Sequence, residues 1–174
     1  MNKEYLIGII CGMIVGVLLV AVLMKKARTD GSLKCKYDER QRLVRATGFK
    51  YSFFTLMAYD LIYGATNAVM DNRWAEDMVG MFLGICISVV VYAGYTIWNE
   101  GYFSMNENPR KVLVIFAAVA VLNFIGAFRM LSETSVIENG MLMSNSMNLI
   151  CGLTFIVIFI IVFIKWQVSK READ

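Results

Sequence analysis

The sequence predicts an all-α fold, a polytopic membrane helical bundle with five transmembrane helices, its N-terminus outside and its C-terminus inside. Three observations carry that expectation. Hydrophobic residues make up 58% of the 174 and charged residues only 18%, with a mean hydropathy of +0.59, a balance foreign to water-soluble domains of this length. Five apolar windows each have the roughly 20 residues a helix needs to cross about 30 Å of hydrocarbon. The basic residues fall in alternate loops, which is the pattern that orients membrane proteins.

The windows are Tyr5 to Met24, Tyr51 to Met70, Met78 to Trp98, Val112 to Met130 and Asn148 to Trp166. What remains between them is too short for a separate soluble domain, so residues 1–174 read as one membrane domain. The first span is longer than the apolar core of a usual secretion signal and runs straight into Lys25-Lys26, so it is expected to be an uncleaved anchor. Its Gly8, Gly12 and Gly16 recur every four residues and form one stripe where a second helix backbone can approach. The third span repeats the pattern with Gly80, Gly84 and Ser88, and the fourth carries Ala117, Ala120 and Ala127. Tyr5, Tyr51, Trp98 and Trp166 mark span ends, where amphipathic rings prefer the headgroup layer.

Between the first two spans, residues 25–50 hold nine basic side chains against three acidic ones. The positive-inside rule makes this segment cytoplasmic. Arg110, Lys111, Lys165, Lys170 and Arg171 then also fall inside, leaving Lys3, Arg73 and Arg129 outside. Asp38 followed by Gln41 has the chemistry of a helix start, so a helix is expected to begin there and to run into the second span. Arg42, Arg45 and Lys50 would lie near anionic headgroups, each adding about 1 kcal/mol of attraction. Asp38, Glu39, Arg40, Gln41, Arg42 and Arg45 together form a candidate docking surface for a partner. Glu100 and Glu107 in the next cytoplasmic loop are expected to pair with this basic segment, at about 0 to 1 kcal/mol for each exposed pair.

Asp60, at the midpoint of the second span, costs about 2.5–3.5 kcal/mol to place in hydrocarbon. Such residues usually face the bundle interior, where Asn123 of the fourth span, Tyr92 or Tyr95 is an expected partner. Tyr63, Gly64 and Asn67 extend the same helical face. Asp60, Asn67 and Asn123 are therefore the candidate intramembrane polar site. The segment Leu131 to Met147 is expected to lie outside, with a turn at Asn139-Gly140.

Composition excludes much else. The chain has no histidine, which rules out Ser-His-Asp and Cys-His nucleophiles and histidine-ligated metals. Cys11, Cys35, Cys86 and Cys151 are far apart and form no Cys-x-x-Cys pair, so packing is their ordinary role. No phosphate loop or nucleic-acid module is present, and no catalytic residue, cofactor or metal is expected.

The stretches Tyr37-Asp38-Glu39-Arg40-Gln41, Lys50-Tyr51-Ser52-Phe53-Phe54 and Ile97-Trp98-Asn99-Glu100-Gly101-Tyr102-Phe103 resemble small, uncharacterised multi-span membrane proteins of Gram-positive bacteria. The resemblance covers roughly residues 37–110. It implies a bacterial cytoplasmic membrane and no mechanism. Two functions stand open: a non-enzymatic accessory or regulatory subunit binding a membrane or cytoplasmic partner, and a small oligomeric transporter or channel with Asp60 as its proton- or ion-coupling residue. The glycine-striped helices leave open whether the partner helix belongs to the same chain, to a foreign subunit or to a homo-oligomer.

Overall fold

The structure, a computed structural model, describes residues 3–32, 34–69, 73–133 and 135–171; side-chain surroundings are described in the first helix for Ile7, Cys11 and residues 14–27, and in the fourth as far as Leu131. Its α-helices are α1 (Lys3–Ala27), α2 (Glu39–Val69), α3 (Asp77–Trp98), α4 (Pro109–Glu133) and α5 (Met147–Arg171). Each contains its predicted window within the described residues and extends beyond it, because polar first and last turns continue the helical backbone past the apolar core. Among the described residues, three stretches are long and apolar enough to cross a membrane: Asp77–Trp98, Pro109–Leu131 and Ser144–Arg171. The helix α2 is more polar, with a charged first third and with Asp60 and Asn67 further on.

Chain chemistry sets the helix ends. Asp38 Oδ1 accepts the Gln41 N–H at 2.6 Å, and Gln41 Oε1 accepts the Asp38 N–H at 3.4 Å, a reciprocal cap that starts α2. At the other end of α3, Gly101 N–H donates to Thr96 O at 2.7 Å and Glu100 N–H to Ile97 O at 3.1 Å. This pair of bonds closes a helix through a left-handed residue, and that residue is Glu100 at φ 61°. Asn108 caps α4 by accepting the Arg110 N–H at 3.0 Å, and Pro109 follows in the first helical position, where its missing N–H costs nothing.

The expectation of a purely helical fold needs one addition. Residues Ile137–Glu138 pair antiparallel with Met141–Leu142 across Asn139 and Gly140, both left-handed at φ 51° and 78°. These are the backbone angles a two-residue hairpin requires. Leu142 is bonded on both sides to the α2–α3 connection, donating to Trp74 O at 2.8 Å and accepting from Glu76 N–H at 2.9 Å. The hairpin thereby closes the end of the molecule opposite the basic segment.

Side-by-side packing runs in the order α2, α3, α5, α4, α1. This is an open row in which α1 and α2 are the two edges. Ala93 and Ile97 of α3 meet Ile158 and Val162 of α5 at the centre, with Leu113 and Phe116 of α4 against them. The edge helix α2 is seated by two tyrosines. Tyr63 lies where a Cβ on Gly80 would be, Tyr59 lies where one on Gly84 would be, and Tyr59 Oη donates to Gly80 O at 2.8 Å. Their rings stack at 6.0 Å, and Trp74 meets Tyr63 edge-on at 5.4 Å.

Replacing Gly80 or Gly84 with valine is expected to unseat a tyrosine ring and lower stability by about 1–3 kcal/mol, read as a fall in the thermal midpoint of the detergent-solubilised protein. The same change at Gly16, which has no atom within 4 Å of a Cβ position, is expected to stay within ~0.5 kcal/mol. An unchanged midpoint for both α3 variants would show that the tyrosines do not hold α2.

Candidate functional site

Polar groups from several segments converge at one end of the helix row, the end that gathers residues 25–38, the loop 99–108 and the last turns of α5. Asn106, only 5% exposed, ties them together. Its Oδ1 accepts the Lys36 N–H at 3.0 Å and the Ser104 hydroxyl at 2.9 Å, while its Nδ2 donates to the Asp30 carboxylate at 3.1 Å and to Lys34 O at 3.0 Å. Its main-chain carbonyl accepts the Thr29 N–H at 2.9 Å. Every donor and acceptor position of the amide is thus used.

Charge pairs surround this knot. Arg28 and Glu107 stand 3.8 Å apart with side chains 8% and 5% exposed, a buried pair whose partners are costly to separate, at about 3–5 kcal/mol. Arg40 and Lys165 both reach Glu100 at 3.5 Å, so one carboxylate serves two cations. Glu100 has a left-handed backbone, a conformation costing a non-glycine residue about 1–2 kcal/mol, and its two cations are the compensating contacts seen there. Lys36 lies 2.9 Å from Asp30; that ammonium, with bonds from Ser32 and Asn106, holds the Asp30 carboxyl at about 2, below its ordinary 3.8. Burial pushes the Tyr102 hydroxyl up to about 12 and raises Tyr37 as well, against the opposing charge of Arg45, whose guanidinium covers the Tyr37 ring at 4.2 Å. Both phenols therefore stay neutral at physiological pH.

The six candidate docking residues divide. Asp38 and Gln41 are spent on the helix cap, and Gln41 Nε2 also donates to the carbonyls of Glu100 and Phe103 at 3.2 and 3.1 Å. Arg40 and Arg45 are turned onto the 99–108 loop, Arg45 donating to Tyr102 O at 3.4 Å. Glu39 and Arg42 remain exposed.

The intramembrane candidates do not meet. Asp60 is exposed on the outer side of α2, not turned inward as its cost in hydrocarbon led one to expect, because Tyr59 and Tyr63 on the adjacent face are already fixed against α3. Its side chain makes no hydrogen bond or ion pair among the described residues. Asn123 donates to Val119 O of its own helix at 2.8 Å, with α3 and α5 between that helix and α2 in the row. Asn67 Oδ1 is shielded from solvent yet has no hydrogen-bond partner among the described residues. Gly64, between Asp60 and Asn67, meets nothing within 4 Å of a Cβ position. On the other edge Gly16 is equally uncovered, and the surroundings of Gly8 and Gly12 lie outside the described residues.

Beneath the polar knot an open cleft of about 820 Å³ runs between the ends of α3, α4 and α5. Leu113, Phe159, Val162 and Phe163 wall it, and Arg110, Lys165 and Trp166 stand at its edge. Sequence reasoning placed Arg110 and Lys165 only as orientation signals and did not single out Asn106 at all. The Asn108-Pro109 pair was the available signal for a helix start three residues ahead of the predicted span. Comparison with family models, curated proteins and solved structures found no match for this chain.

The variant Asn106→Ala strands two part-buried backbone groups, the Lys36 N–H and the Lys34 carbonyl, each costing about 1–3 kcal/mol. Trypsin cleavage after Lys34 and Lys36 is expected to accelerate by about tenfold or more, and an unchanged rate would show that Asn106 does not hold the segment. For Asp30 the depressed carboxyl contributes stability that is present above pH 3.8 and lost as pH falls toward about 2. Amide-exchange protection at Thr29 and Lys36 is therefore expected to be level from neutrality down to about pH 5 and to collapse below pH 3.8, whereas Asp30→Asn is expected to lack that acid-dependent step.

Proposed function

We propose that this chain is a five-span protein of the bacterial cytoplasmic membrane, N-terminus outside and C-terminus inside, and that it works as a non-enzymatic accessory or regulatory subunit. In this reading α1 and α2 cross the membrane at the edges of the helix row and bind a partner membrane protein laterally. The basic segment 25–50 lies in the cytoplasm, where Glu39 and Arg42 are the docking residues left free for a second contact.

The observation that carries the reading is the uncovered face of α2. Asp60 and Gly64 follow one another along it with a carboxylate and a gap for a close helix approach, and Asn67 lies about a turn further on. In hydrocarbon, an ionisable side chain is paired with another polar group, and among the described residues Asp60 has no hydrogen-bond or ion-pair partner. A helix from another polypeptide completes it. Orientation is supported by the gathering of Arg28, Arg40, Arg110, Lys111 and Lys165 around one end, while Arg73 pairs with Asp77 at 2.7 Å at the other. The channel reading draws less support, since Asn123 sits on α4, away from Asp60, and bonds within its own helix.

Purification of tagged chain from its native membrane in mild detergent tests this. A stoichiometric foreign subunit is expected, and Asp60→Ala is expected to lower its recovery by about tenfold while leaving the thermal midpoint of the chain itself in place, because Asp60 has no hydrogen-bond or ion-pair partner among the described residues. Full recovery with Asp60→Ala, or a chain that elutes alone or only with copies of itself, would overturn the proposal.

A further inference from the structure

Arg110 lies on the ridge between two apolar hollows. On one side is the cleft of about 820 Å³ walled by Leu113, Phe159, Val162 and Phe163. On the other is a furrow of about 300 Å³ between α1 and α4, lined by Leu23, Val114 and Ile115 with Lys26 and Lys111 at its end. Two apolar channels that share one arginine match the plan of a phospholipid, in which two acyl chains meet at one phosphate.

The charges around the ridge call for an anion. Arg110 makes no side-chain hydrogen bond or ion pair among the described residues, and the acids nearby are already taken: Glu107 by Arg28, and Glu100 by Arg40 together with Lys165. Lys111 Nζ donates to the Lys26 carbonyl at 3.3 Å, which holds these two cationic residues beside each other. Arg110 and Lys111 also occupy the first turn of α4, where no acidic residue is present. The helix dipole is positive there, so two further cations are unfavourable unless an anion sits among them. The larger cleft opens at the ends of the three helices that are apolar enough to cross a membrane, and the furrow runs along one of them, α4, so acyl chains reach both from the bilayer.

We propose that this ridge is a binding seat for one anionic phospholipid, with its phosphate on Arg110 between Lys26 and Lys111 and one acyl chain in each hollow. The seat does not depend on the partner-subunit reading. A zwitterionic lipid brings its own ammonium group and leaves the surplus positive charge of the ridge uncompensated. An anionic headgroup neutralises it.

Trp166 at the edge of the larger cleft serves as the reporter. Full-length chain carrying Trp74→Phe and Trp98→Phe is reconstituted in phosphatidylcholine vesicles, and the quenching of Trp166 is followed as phosphatidylglycerol or phosphatidylcholine with brominated acyl chains is titrated in. Quenching by the brominated phosphatidylglycerol is expected to saturate at low mole fraction, with a half-point at least about fivefold below that of brominated phosphatidylcholine. Arg110→Gln and Lys26→Gln are each expected to move the half-point toward the phosphatidylcholine value. Lys170→Gln, which removes a cation 5.9 Å from the Trp166 ring but outside both hollows, is expected to leave it in place. Linear, indistinguishable quenching by the two lipids would overturn the proposal, as would a half-point that follows Lys170 and ignores both Arg110 and Lys26.

Discussion

The seating of Tyr59 and Tyr63 on the glycines of α3 fixes which way α2 faces, and most of what is distinctive about the molecule follows from it. Without side chains at Gly80 and Gly84, α3 admits two aromatic rings against its backbone, and one of them adds a hydrogen bond to Gly80 O. A helix held at two points a turn apart is not free to rotate. Residues on the adjacent face, Asp60 and Gly64 among them, are therefore committed to the outside. Burying Asp60 would require α2 to turn and give up both tyrosine contacts.

The row order has a second consequence. In a closed bundle each helix has neighbours on two sides, but here α1 leans mainly on α4 and α2 mainly on α3. The edges differ in character. Along α1 the exposed residues are aliphatic, such as Val17 and Leu18, and suit lipid or a helix packed by shape. Along α2 the exposed face is mixed, with the Asp60 carboxylate among apolar residues such as Leu61 and Ile62. At the basic end the same open arrangement is locked by polar bonding, with Asn106 satisfying backbone groups from residues 29, 34 and 36. The row is thus knotted firmly at one end and uncovered along both edges.

Much of this was legible in the sequence. Apolar run length located every helix, and the Asp38–Gln41 spacing announced the start of α2 because capping is a local interaction. Asn139-Gly140 announced the turn for the same reason. Asp60 stood out by cost alone, yet its direction was not legible: the rotation of α2 is decided by glycines about 20 residues away in α3, and helical periodicity in α2 itself does not register them. Glu100 as a helix-closing residue was equally hidden, because glycine is the usual choice and its compensation comes from Arg40 and Lys165, far off in the chain. The lipid-sized hollows depend on how three helix ends diverge, which no local pattern encodes.

On the reading proposed above, the outer face of α2 is a contact surface for another polypeptide. Site-specific photo-crosslinking in the native membrane addresses it most directly, with a photoreactive residue placed at Leu61, which is 71% exposed, and at the inward-facing Tyr63 as control. A single discrete adduct of higher mass from position 61, with only intrachain products from position 63, is the expected result. Crosslinking to lipid alone from position 61 would contradict the claim and leave Asp60 facing the bilayer.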